Sequence, residues 1–568
     1  MFTMTFRLLF LLLAIPVFSQ VDYPKDYFKS PLDITLSLSG SFGELRSNHF
    51  HTGLDFKTEK KEGLNVYASA DGYISRIKIS TFGYGKAIYI THPNGFTTVY
   101  GHLKKASPII EAYIRDNHYK EETYEIEMFP KPEDLPVKQG DIIALSGNSG
   151  GSGGPHLHFE FRDTQSEKAI NPLLFGFDAL IKDTKSPVIT TLMAYPVGEN
   201  STVNQSLQPI TLHLSLQADG SYVSEKVAVS GKVGFGISAY DMFDFNYNKN
   251  GLFKVQTYLN GSLNFGYQFD TFAFDESRYI NALLDFYRFK KMGVRIQRLF
   301  STSPYPLSLI KTNETFGVIE VKPNLANNYR IEVSDFNTNK VIVNVPIQYS
   351  PIAPTIASDV KKTDYFLKAK NDNIYKKDNI SVFIPAGTFY DDFYLNFDVK
   401  DDTLTFHDES VAVHNNFTVT IENNKFTPEE KEKMFIASIE GKRLHYNFTK
   451  IKDSVFTSYT KNLGKFILAK DTTAPRISSV NIAEGKWLSK QNNLKLTISD
   501  NLSGIKSYSG YLNGKWVLFE YDYKTKTMIH ELDEKFLLEG RNDLKVVVSD
   551  NVGNSTIFET HFFRSQKK

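Results

Sequence analysis

Short runs in which apolar and polar residues alternate, divided by glycine and proline turns, recur along this chain, and a period of two suits β-strands. Gly72–Ile79, Lys86–Thr91 and Phe96–Tyr100 are three such runs. Pro93-Asn94-Gly95 separates the last two with the turn chemistry of a hairpin, Asn-Gly supplying positive φ angles. Asp141–Leu145 and Leu157–Arg162 complete the set expected of a compact antiparallel sheet. The 45 Phe and 31 Tyr suit such half-buried pleated surfaces. The fold class is therefore read as mostly β: a compact antiparallel-β domain followed by several β-sandwich domains.

One excursion breaks the pattern. Ser107-Pro108 has the form of a helix start, and Ile110, Tyr113 and Ile114 then share a helical face. Tyr124, Ile126 and Met128 return to strand period. The excursion follows His102 directly, so it is either a structural insertion or one wall of a substrate groove. Past residue 180, Asp183-Thr-Lys-Ser-Pro187 and Asp471-Thr-Thr-Ala-Pro475 read as equivalent linkers. Tyr240-Asp241 before Tyr258-Leu-Asn-Gly261 matches Ser499-Asp500 before Tyr511-Leu-Asn-Gly514, as in divergent copies of one module. The last copy has the strand-and-turn rhythm of an immunoglobulin-like sandwich. The expected division is a signal peptide at 1–19, a first domain at 20–180 with an insertion at 107–135, a β-sandwich module at 181–350, a β domain at 351–470 and an immunoglobulin-like module at 471–568.

The N-terminus has the features of an export signal. Arg7 precedes an apolar stretch, Leu8–Val17, and Val17-Phe18-Ser19 suits cleavage, so the mature chain is expected to begin near Gln20. No second run approaches the roughly 20 apolar residues that span a bilayer, so no transmembrane segment is expected in the mature protein. The periplasm is the expected location, with the cell surface or the medium as alternatives. A formal charge of +1 leaves no electrostatic footprint for nucleic acid. The chain has no cysteine, which excludes disulfides, thiolate ligands and cysteine nucleophiles. Any transition-metal site must then be built from His, Asp and Glu.

Three fragments gather such residues: His51-Thr-Gly-Leu-Asp55, Tyr100-Gly-His-Leu103 and Gly154-Pro-His-Leu-His-Phe-Glu160. Imidazole and carboxylate suit a borderline cation such as Zn²⁺, and three protein ligands leave a coordination position open. Four histidines and an aspartate exceed what one catalytic ion needs, and the surplus suits proton transfer. On a strand His156 and His158 would face one cavity, and the preceding Gly147–Gly154 run permits tight turns.

In this order the fragments resemble the lysostaphin- or LytM-type zinc endopeptidases, which cut stem peptides or cross-links of bacterial peptidoglycan. Gly43–His51, Ala70-Asp-Gly72, Gly140–Asn148 and Asn171-Pro172 share the likeness, which covers roughly residues 40–175. It implies one Zn²⁺ per chain on His51, Asp55 and His158, with His102 and His156 assisting catalysis, either one being the general base. It implies a peptidoglycan peptide as substrate and leaves the scissile bond open. The long stretch between His102 and Gly140 departs from the family pattern and leaves substrate choice open. A wall or protein partner of the C-terminal β modules is a further expectation.

Other residues have plainer readings. His49 is expected to be structural, His92 a turn residue and His118 exposed. Glu160 is either a group that orients a ligand or half of a surface ion pair, and Asn171-Pro172 turns the chain. After residue 180 no stretch gathers metal-binding residues, His407, His414, His445, His530 and His561 being isolated. Two rival functions remain: a non-catalytic regulator of other wall hydrolases, whose known forms lack ligand residues that this chain keeps, and a wall-binding scaffold.

Overall fold

A computed structural model of the chain describes residues 22–244, 247–302 and 305–565. The export signal and its cleavage site lie outside the described residues. The chain is mostly β, with several separate sheets. No helix of the described residues is long and apolar enough to cross a membrane.

The first sheet carries the fragments. Its central order is Leu38–Gly40, Leu54–Lys57, His156–Asp163, Phe96–Gly101, Lys86–Thr91, Gly72–Ile79 and Ile126–Met128, all antiparallel. Pleating sends Leu157, Phe159 and Phe161 to one face, where all three are fully buried. Each removes an apolar side chain from water, worth about 2–3 kcal/mol. The opposite face presents His156, His158 and Glu160. Gly95 alone takes positive φ in the hairpin at 93–95, with its N–H donating to the His92 carbonyl. Asn94 is not left-handed, so the turn is not the two-residue form that Asn-Gly suggests.

The excursion forms a helix, Pro108–Glu121, that buries Ile110, Ile114 and His118, so His118 is not the exposed residue expected. Ser107 occupies the N-cap position without a capping hydrogen bond from its side chain. Instead Glu111 accepts from the Ala106 N–H. Ile126–Met128 then extends the sheet beside Gly72–Ile79.

The apolar core does not stop at residue 180. One cluster runs from Phe28 to Ile347, and Ala169–Ile170 pairs with Thr271–Phe272 to link the first sheet to the next segment. Phe50 packs on Phe269 and Phe272 across this junction. Two five-stranded sheets share a second core between Leu367 and Phe466. Two four-stranded sheets share a third between Ile482 and Phe562.

This last unit folds back against the first. Lys86 donates to Glu520 at 2.7 Å, Lys105 pairs with Glu531 at 3.2 Å, and Arg115 pairs with Asp533. Tyr119 of the excursion helix meets Trp516 edge-on and stacks on Phe536. The excursion is thus a contact surface for the C-terminal unit.

Candidate metal centre

Strand register builds the site. His158 lies opposite Asp55 on one neighbouring strand and Gly101 on the other. Gly53 allows the first pairing: a Cβ there would stand 2.3 Å from the Phe159 carbonyl oxygen. His51 arrives on a tight hairpin, its N–H donating to the Glu44 carbonyl and its carbonyl accepting from Gly43.

His51, Asp55 and His158 are buried and converge. His51 Nε2 is 3.0 Å from Asp55 Oδ1 and 3.1 Å from His158 Nδ1, and His158 Nδ1 is 2.9 Å from Asp55 Oδ1. These three atoms form a nearly equilateral triangle. An ion about 2.0–2.1 Å from each, as zinc requires, sits above its centre with little movement of the donors. The far side of each imidazole is committed: His51 Nδ1 to the Ser41 carbonyl at 2.8 Å, His158 Nε2 to Glu160 Oε1 at 2.7 Å. Those bonds turn the other nitrogen of each ring into the triangle, where its lone pair is available when the ring is neutral.

Glu160 is fully buried, which overturns the surface ion pair. Its Oε1 accepts from Thr52 and Tyr84, and its Oε2 accepts from Arg162 at 2.8 Å. Burial opposes its charge, yet Arg162 and His158 hold its carboxyl far below the usual range. Burial likewise opposes a charged His158, and Asp55 and Glu160 override it, raising the imidazole to about 9. Asp55 is held well below the usual carboxylate range against its burial, by His51, His156 and His158. The donor set therefore favours positive charge at this point, as a bound cation would supply.

His102 and His156 lie beside the triangle, their ring centroids 4.7 Å apart. His102 Nδ1 donates to the Ser149 carbonyl at 2.8 Å, leaving Nε2 free of that bond. Burial, with the fields of His158 and His156, depresses His102 to about 3, so it is neutral near pH 7. It also sits at φ 58°, a left-handed conformation unusual for histidine. His156 Nδ1 lies 2.8 Å from the Gly154 carbonyl, and its Nε2 is 3.5 Å from Asp55 Oδ1.

Other expectations fare differently. His49 is exposed. His92 is buried, bonded to the Asp71 carbonyl and to Thr98, so it is more than a turn residue. Asn171 caps the short helix at Pro172–Phe175 through its side chain. Sequence reasoning assigned no role to Arg46, whose Nη2 is 2.9 Å from Asp55 Oδ2, or to Tyr84, whose ring stacks on His158 at 5.0 Å. Arg46 sits inside the Gly43–His51 stretch, the one signal that could have marked it. The C-terminal unit reaches this rim: Lys524 Nζ donates to the Asn148 carbonyl and Tyr523 packs on Phe82.

Residues 49–115 match Peptidase family M23, and residues 364–471 match the Zu5-like domain. A Haemophilus influenzae protein named an uncharacterized metalloprotease is 31% identical over 155 residues, 26% of this chain and 27% of the relative. The DD-carboxypeptidase/endopeptidase Mpg of Neisseria meningitidis is 31% identical over 146 residues, 26% of this chain and 25% of the relative. The peptidoglycan DD-endopeptidase ShyC of Vibrio cholerae is 28% identical over 143 residues, 24% of this chain and 27% of the relative. The chain spans about a quarter of the length of the curated relatives it matches. Among solved structures, the catalytic domain of lysostaphin from Staphylococcus simulans is 26% identical, covering 24% of this chain and 87% of that one, with a TM-score of 0.18. A zinc-containing peptidase from Vibrio cholerae is 25% identical, covering 27% and 40%, with a TM-score of 0.20. The chain carries a Peptidase family M23 domain.

Proposed function

We propose that this protein is an exported zinc metalloendopeptidase that hydrolyses peptide bonds in peptidoglycan. The observation that carries the reading is the triangle of His51 Nε2, Asp55 Oδ1 and His158 Nδ1, flanked by two further imidazoles. Two nitrogens and one carboxylate oxygen suit zinc. When bound there it supplies Lewis acidity, lowering the pKa of water to about 7 and polarising a carbonyl. The names of the relatives point to peptidoglycan as the substrate.

The chain's own groups do the rest. Glu160 holds the His158 ring and keeps its Nδ1 turned to Asp55. Arg46 holds the other oxygen of Asp55, leaving Oδ1 for the triangle. His102, anchored through Nδ1, presents Nε2 to an attacking water, and it or His156 accepts the proton that the water loses. The imidazole that gains this proton donates a hydrogen bond to the oxyanion that develops on the scissile carbonyl. The proton then passes to the departing amine.

The reading is tested by incubating the protein with purified peptidoglycan and identifying released peptides by mass spectrometry. New termini are expected with zinc present and should vanish with a chelator and in His158→Ala. Release that persists in both would end the zinc-hydrolase reading. The periplasm is our proposed location, and fractionation of cells expressing the full chain checks it.

A further inference from the structure

Six aspartates outside the first sheet form two groups of the same design. Oxygens of Asp183, Asp241 and Asp335 lie within 4.8 Å of one another, and so do oxygens of Asp471, Asp500 and Asp550. Members of each group are widely separated in sequence, so no single stretch after residue 180 gathers them and only the fold brings them together. Asp183 and Asp471 are the first residues of the two equivalent linkers. Asp241 and Asp500 each follow directly on a strand, Val227–Tyr240 and Asn493–Ser499. Asp335 follows Asn327–Ser334, and Asp550 ends Gly540–Asp550, each at the turn into the next strand.

The hydrogen bonds repeat as well. The Lys185 N–H donates to Asp183 Oδ1, as the Thr473 N–H does to Asp471 Oδ1. Asn339 donates its backbone N–H and its amide to Asp335 and turns toward the Asp183 carbonyl. Asn554 makes the same three contacts with Asp550 and the Asp471 carbonyl. A network kept so closely between divergent copies fixes three carboxylates in one place twice.

One atom in each group is left over. Asp241 is 3% exposed, and its Oδ1 is buried without a hydrogen-bond partner among the described residues. Asp500 is half-buried, and its Oδ1 likewise has no hydrogen-bond partner among the described residues. A buried carboxylate oxygen with no donor is costly unless a cation faces it. Lys185, whose charge reaches Asp241, spends its ammonium on the Phe243 carbonyl.

We propose that Asp183, Asp241 and Asp335 bind a hard divalent cation of the calcium class, and that Asp471, Asp500 and Asp550 bind a second in the repeated module. The donors are carboxylate oxygens only, which suits a 6–8-coordinate calcium ion completed by water or carbonyls and does not suit zinc. Each cation would tie the linker entering a module to two strand ends of that module. The second would thereby hold the unit whose Lys86–Glu520 and Lys524–Asn148 contacts sit beside the first sheet.

The test is equilibrium dialysis of the zinc-loaded full chain against radioactive calcium. Two bound calcium ions per chain are expected, falling to one in Asp241→Asn and to one in Asp500→Asn. No bound calcium, or an Asp241→Asn chain that retains the wild-type stoichiometry, would overturn the first site. An Asp500→Asn chain that retains it would overturn the second. Thermal melts separate cation binding from mere hydrogen bonding. Without calcium, Asp241→Asn should melt close to the wild type, and added calcium should raise the melting temperature of the wild type more than that of the variant. A variant that melts below the wild type by the same margin in both conditions would show a purely structural role and sink the proposal.

Discussion

The Nε2 of His158 lies 2.7 Å from the Oε1 of Glu160, a carboxylate with no exposure to solvent. This contact fixes which nitrogen of His158 is available on the other side of the ring. Removing a partner of this kind typically weakens metal binding 10–100-fold. Glu160→Gln should therefore lower zinc affinity by about that factor in competition with a chromophoric chelator. Affinity within twofold of the wild type would show that Glu160 serves its other partners, Arg162, Thr52 and Tyr84, rather than the metal site.

His102 and His156 should separate from the metal triangle in their effects. His102→Ala is expected to keep zinc at full stoichiometry and to lose kcat by about 10²–10⁴. His51→Ala or Asp55→Ala should lose the metal itself. Metal analysis alongside peptide-release kinetics distinguishes these, and a zinc-free His102→Ala would move that residue into the ligand set.

Gly53 is a place where one methyl group should disturb the site. Its Cβ would press on the Phe159 carbonyl oxygen, within the ladder that sets Asp55 opposite His158. Overpacking of this kind costs about 1–3 kcal/mol. Gly53→Ala should lower both the melting temperature and zinc affinity, as calorimetry and chelator competition would record.

Burial lowers His92 to about 4, against 6.5 for the free side chain. The unfolded chain then binds the extra proton between those values, so folding stability is complete above about pH 6.5 and is lost as pH falls toward 4. The loss is on the order of 3 kcal/mol. His92→Gln should flatten the pH dependence of urea unfolding across this window, and an unchanged slope would assign it to other groups.

Lys86 is 15% exposed at its side chain and pairs with Glu520, which is 43% exposed. Glu520→Gln leaves a largely buried ammonium short of its partner, at a cost of about 1–2 kcal/mol after solvent screening. Trp516 packs on Tyr119 at this contact, so its fluorescence should report earlier release of the C-terminal unit in urea. A transition coincident with the wild type would show that the pair contributes little to docking.

The strand period and the Gly and Asn punctuation made the β character legible, because pleating imposes a repeat that survives in the residues themselves. The local geometry of His156 and His158 was legible for the same reason, since residues two apart on a strand must share a face. His51, Asp55 and His102 could be nominated from their fragments, but their distances could not, because they depend on the register of Asp55 against His158 and of Gly101 against His158. Glu160 read equally as a ligand-orienting group or as a surface charge until neighbouring strands enclosed it. The contact between the excursion helix and the last unit joins residues some four hundred positions apart and left no local mark. The aspartate groups show the division most plainly: the linkers and strand ends were visible as repeats, yet only folding decided that three like charges in each copy would meet. Sequence determines what is periodic or adjacent along the chain, whereas charge crowding, burial and donor geometry arise between segments and belong to the tertiary structure.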